Sequence, residues 1–85
     1  MTTTQRLARL ETAQELLCFL MASYAEKIHV ENKSAHPDAA KIAQWEVERK
    51  NLFNLEDGLR LDDQAAIEQV IKEYGPIVRM AYLVR

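Results

Sequence analysis

Residues that interrupt helices or staple small domains are scarce in this chain: two glycines, two prolines and one cysteine in 85 residues. So little turn chemistry beside 48% hydrophobic residues argues for a folded, helical chain rather than a disordered one. One cysteine excludes an internal disulfide. Because Cys18 lies in the most apolar stretch, it is expected to be a buried thiol in a reducing compartment. No run of like charge exceeds two residues, and the formal net charge is -2. Long-range attraction to nucleic acid or to an anionic membrane is therefore not expected. Apolar runs are short as well. The longest, Leu16–Ala22, is far below the length that crosses a bilayer. The residues before it carry Arg6, Arg9, Glu11 and Glu15, unlike a secretory leader. The expected location is cytoplasmic.

Catalytic inventory is missing too. No glycine-rich phosphate loop, Cys-x-x-Cys pair or nucleophile elbow around Ser23 or Ser34 can be found. Phosphoryl transfer, zinc chemistry and serine nucleophilic catalysis therefore lack their parts. A helix-turn-helix at Gly58 would open its second helix with Asp62-Asp63-Gln64, placing acids where phosphates must approach. Strand-length alternation, internal repeats and low-complexity segments are likewise not seen.

What is present is helical patterning. Leu16–Ala22 is apolar in every direction a helix can point, so it must be covered on more than one side. Thr2 and Gln5 have capping-box spacing, and the first helix is expected to run from there to about Ile28. Leu7, Leu10, Gln14, Leu17, Met21, Tyr24 and Ile28 step by three and four along one seam, with Gln14 its polar member. Phe19 points nearly opposite Leu17, and the small residues Cys18, Ala22 and Ala25 lie on a strip between them.

After a connector at 29–36, Pro37 is placed to open a second helix, reaching about Asp57 and closed by Gly58 as a left-handed cap. Its apolar arc, Ile42, Trp45, Leu52, Leu55 and Leu59 with Phe53 at the edge, also contains Arg49 and Glu56, while Val47 sits away from it. Asp62 and Asp63 announce a third helix with Ile67, Val70, Ile71 and Tyr74 on one face. Gly75-Pro76 should end or kink it. Because Ile77, Val78 and Ala81 keep the same face, and Met80, Leu83 and Val84 widen it, the C-terminus is expected to dock. Tyr24, Tyr74 and Tyr82 read as boundary residues with wet hydroxyls.

The fold class these signals predict is all-α, a single domain over residues 1–85. It is a three- to four-helix antiparallel bundle, its last helix broken at Gly75-Pro76, and dimeric through the first helix. A monomer of this length buries only roughly 60–65% of the surface its unfolded chain exposes, and association is a common remedy.

Arg49, an always-charged group inside an apolar arc, must snorkel, pair with Glu46 or stack. Trp and Arg are enriched at binding hot spots, so Phe19, Trp45, Arg49, Phe53 and Glu56 form the expected interface. Glu26 and His29 have the Glu-x-x-His spacing of carboxylate-bridged metal sites, weak candidates that would need further ligands such as Glu46 or Glu48 from facing helices. No catalytic residue, cofactor or metal is otherwise assigned.

The resulting expectation is a non-enzymatic protein-interaction module, a regulator, inhibitor or antitoxin-like partner acting by surface occlusion. Its partner would be another protein, itself, or both, with no nucleic acid and no membrane. The alternative is a small-ligand or metal-using helical dimer. That alternative includes a chorismate-mutase-like enzyme, since three helices with arginines on the first and Glu48-Arg49 on the second share that outline. Against it, Tyr24 stands near the position where a second arginine would have to meet a dicarboxylate.

Overall fold

The computed structural model describes residues 1–83, and among these all regular structure is helical: α1 (Thr3–Asn32), α2 (Ala39–Asp57) and α3 (Gln64–Leu83). Val84, one of the residues expected to dock the C-terminus, lies outside the described residues.

Each helix start has a local chemical cause. The Thr2 hydroxyl accepts from the Gln5 amide at 3.1 Å while the Gln5 side chain accepts from the Thr2 amide at 2.8 Å, a complete capping box. α2 starts at Ala39 and not at Pro37, with Asp38 as its N-cap, the carboxylate accepting from the Ala40 and Lys41 amides at 3.1 Å each. Asp63 does the same for α3 through the Ala66 amide at 3.1 Å. Gly58 closes α2 as expected, but with φ -83° it is right-handed. Its amide bonds back to Asn54 and Glu56 without needing the left-handed region. α1 also outlasts its last seam residue, Ile28, by one turn. There Glu31 accepts from the Asp38 amide at 3.1 Å and ties the end of α1 to the start of α2.

α1 packs against both α2 and α3, whereas α2 and α3 have no Cα atoms within 8 Å of each other. The core follows from this. Ala13 and Leu17 of α1 are fully buried among Leu52 and Leu59 from α2 and its following turn, and Ile67 and Val70 from α3. Of the predicted seam, Leu17 and Ile28 are buried and Leu10, Gln14, Met21 and Tyr24 half-buried, while Leu7 is exposed near the open end of α1. Arg9 meets Glu68, and further along Phe19 meets Tyr82, so α1 and α3 advance in the same direction.

The expected break at Gly75-Pro76 is not found: α3 is one helix from Gln64 to Leu83 with Pro76 inside it. Pro76 lacks the amide that would bond the Lys72 carbonyl, so a helical turn is weakened without being ended. Packing explains the continuity, because Val70 before the proline and Val78 after it are both buried. Docking of the C-terminal end is only partial. Val78 is buried and Tyr82 stacks on Phe19, yet Ile77, Met80 and Leu83 are 52%, 58% and 71% exposed. A second correction concerns Cys18, which is exposed on the outer side of α1. Neither α2 nor α3 covers the strip that it shares with Ala22 and Ala25, both exposed.

Two substitutions probe this architecture by urea unfolding. Leu17→Ala should cost about 2–5 kcal/mol, since the side chain is fully enclosed. Pro76→Ala should instead stabilise the chain by about 1–3 kcal/mol by restoring the missing helix bond; a destabilised Pro76→Ala protein would show that the proline is needed for the course of α3.

Candidate functional site

Between α1 and α2 lies a hollow of about 610 Å³. Met21, Ala22 and Ala25 form its α1 side, Val47 and Phe53 its apolar α2 side, and Glu46, Arg49 and Lys50 its polar rim. Small residues create the trough, because the methyl groups of Ala22 and Ala25 leave the flank of α1 low where a larger side chain would fill it. Val47 and Phe53 are 54% and 55% exposed and line the same hollow, so they form a shared apolar surface rather than isolated exposed residues. Arg49 resolves its position in the apolar arc by pairing along α2. It donates to Glu46 at 2.6 Å, with both side chains 45% exposed. In that setting the pair orients the rim more than it stabilises the fold.

The five residues expected to form one interface are divided. Arg49 and Phe53 line this trough, whereas Phe19 and Trp45 line a second hollow of about 480 Å³ with Ser23, Glu26, Lys27 and Ala81. Glu56 is half-buried on α2 and borders neither. Phe19, expected as a dimer contact, is half-buried and stacks on Tyr82 at 5.1 Å between ring centroids, an intramolecular contact that accounts for much of its apolar face. Glu26 is exposed in the second hollow and His29 exposed on the last turns of α1. Among the described residues, no three His, Cys, Asp or Glu side chains converge where a metal ion could be held.

Three of the side-chain contacts that sequence reading missed involve charged or aromatic groups near these hollows or between α1 and α3. Arg9 donates to Glu68 at 2.8 and 2.7 Å, a bidentate pair linking α1 to α3 across 59 positions. The Lys27 ammonium sits 5.0 Å from the centre of the Tyr24 ring. The Phe19–Tyr82 stack is the third. Helical spacing could have found Lys27 and Tyr24, which are three residues apart. The other two depend on the docking of α3 and leave no signal within one helix.

A third cleft, about 210 Å³, opens where α2 and α3 stand apart above α1. Tyr24, Glu48, Asn51, Leu52 and Tyr74 are among the residues that line it. The Tyr74 hydroxyl has its pKa pushed up, first by burial and then by the negative charge of Glu73 and Glu48 and by Tyr24.

With this geometry established, comparison with known proteins finds no match among family models, curated proteins or solved structures. No helix among the described residues is long and apolar enough to cross a membrane.

The cross-helix pair makes a pH prediction. Hydrogen bonding by Arg9 holds the Glu68 carboxyl below its usual range, and the carboxylate in turn raises the Arg9 guanidinium. A depressed carboxyl stabilises the fold above its unfolded pKa, and that contribution fades as pH falls through the folded value. The side chains remain 41% and 44% exposed, so the effect is modest and sensitive to salt. Wild type should melt above Glu68→Gln at pH 7 in low salt, with the gap closing below about pH 4; a gap unchanged down to pH 2 would assign the difference to packing.

Proposed function

We propose that this chain is a non-enzymatic interaction module that seats an amphipathic helix of a partner in the trough between α1 and α2. Regulation or inhibition by surface occlusion is the mode of action that fits such a module. The observation that carries the reading is surplus surface. At 9.8 kDa a compact monomer exposes about 5,200 Å² by the usual scaling, while this chain exposes 6154 Å². The excess is close to the roughly 800 Å² that each partner contributes to a standard interface. The radius of gyration agrees, 15.0 Å against about 12 Å for a compact domain of this length.

The trough has the features a helix-binding groove uses: an apolar bed at Met21, Val47 and Phe53, small residues permitting close approach, and charged groups at the rim. Within this reading the helices form an up-down-up antiparallel bundle, with α2 reversed against α1 and α3. A second copy of the chain and a different protein are both suitable partners. Self-association would use the exposed strip of Cys18, Ala22 and Ala25, of which Ala22 and Ala25 also form the α1 side of the trough.

Native mass spectrometry of the protein isolated gently from its own cells, with Phe53→Glu and Val47→Glu variants alongside, tests this. Wild type should carry the added mass of a second chain, like or unlike, and each variant should lose it while keeping its helical circular dichroism. An exclusively monomeric wild type, or an assembly indifferent to both substitutions, would refute the proposal. Oxidation at Cys18 sorts the partners: a disulfide-linked homodimer forms readily if α1 meets its own copy, and does not if the trough holds another protein.

A further inference from the structure

We propose that the cleft between α2 and α3 is a binding site for a compact alkylammonium group, held by the Glu48 carboxylate and the rings of Tyr24 and Tyr74. This site shares no residue with the α1–α2 trough and does not depend on the function proposed for it.

Three observations converge on a cation. No basic residue lines the cleft, while Glu48 stands in its wall as a half-buried carboxylate. Glu48 accepts a hydrogen bond from the Gln44 amide at 2.9 Å, which orients it but leaves its charge in place. It takes part in neither ion pair found among the described residues, Arg9–Glu68 and Arg49–Glu46. Second, two tyrosines line this small volume, and aromatic faces attract cations through the ring quadrupole. One face of the Tyr24 ring already carries the Lys27 ammonium at 5.0 Å, so a ligand in the cleft has only the other face of Tyr24 and the ring of Tyr74. Third, after burial, the charges of Glu73 and Glu48 are what push the Tyr74 hydroxyl pKa up, and that negative charge at the wall of the cleft favours a cation over an anion.

Size and donor set narrow the ligand. A cleft of about 210 Å³ is below the roughly 300–1,000 Å³ of pockets for drug-sized molecules and suits a small head group. A single carboxylate beside Asn51, with apolar Leu52 and Ile77, is a poor set for a hard divalent ion, which takes six or more oxygens. An alkylammonium matches all of these surfaces at once, with charge toward Glu48 and methyl or methylene groups against the rings and Leu52.

Tetramethylammonium chloride titrated into the full chain, followed by amide NMR shifts with sodium chloride at equal concentration as the control, is the deciding experiment. Saturable shifts should centre on Asn51, Leu52 and Tyr74 and be absent with sodium. Glu48→Gln should weaken binding by about fivefold and Asn51→Asp should tighten it. Tyr74→Phe, which keeps the ring, should bind nearly as wild type, and Tyr74→Leu should not. Shifts reproduced by sodium chloride, or affinity unaltered in both Glu48→Gln and Asn51→Asp, would overturn the assignment. Phosphatidylcholine vesicles in a sedimentation assay separate the sources of the group. Pelleting that Glu48→Gln abolishes identifies a lipid head group, whereas binding of the free ion without pelleting identifies a soluble amine.

Discussion

Enclosure of Ala13 and Leu17 on α1 is the constraint on which the other arrangements depend. α2 and α3 do not pack against one another backbone to backbone; each is held through α1 and the few side chains that meet over these two positions. The fold is thus one central helix with two dependants rather than three equal members. Removing volume at Leu17 loosens both contacts together. This also explains why the chain is long and thin, 53 by 27 by 16 Å, and why apolar side chains remain at its margins. Two flanking helices cannot wrap all of a 30-residue helix that is apolar on several sides.

Features governed by local chemistry were readable in the sequence. The Thr2–Gln5 capping box, the capping role of Asp63, the closure at Gly58 and the Glu46–Arg49 pair each depend on residues within one helical turn. The buried face of α3 was equally legible at Ile67 and Val70, because its spacing has one period and one side. Where spacing and composition pointed different ways, reading was less secure. Cys18 looked buried because its neighbours are apolar, yet its direction on the helix turns it to solvent. Pro76 looked like a break because of its own chemistry, yet burial of Val70 and Val78 on either side keeps the helix whole.

The candidate sites were legible only in part, for a similar reason. Arg49 and Phe53 stood out as unusual residues on an apolar arc and do line the trough, but Ala22 and Ala25, which make it concave, are unremarkable in a sequence. Trp45 and Phe19 were grouped with them by residue type, whereas the packing of α3 sends them to a different hollow beside Ala81. The cleft at Glu48, Tyr24 and Tyr74 draws on all three helices, and no pattern within one segment could have signalled it.

Separation along the chain of the groups that join α1 to α3 bears on the order of assembly. Arg9 and Glu68 are 59 positions apart, whereas α1 and α2 are connected by the six residues Lys33 to Asp38. Closing the short connection costs less chain entropy, so the α1–α2 hairpin is the natural nucleus and α3 the late arrival. During synthesis the hairpin would leave the ribosome with one flank of Leu17 still uncovered, and its burial would wait until the twenty residues of α3 had emerged.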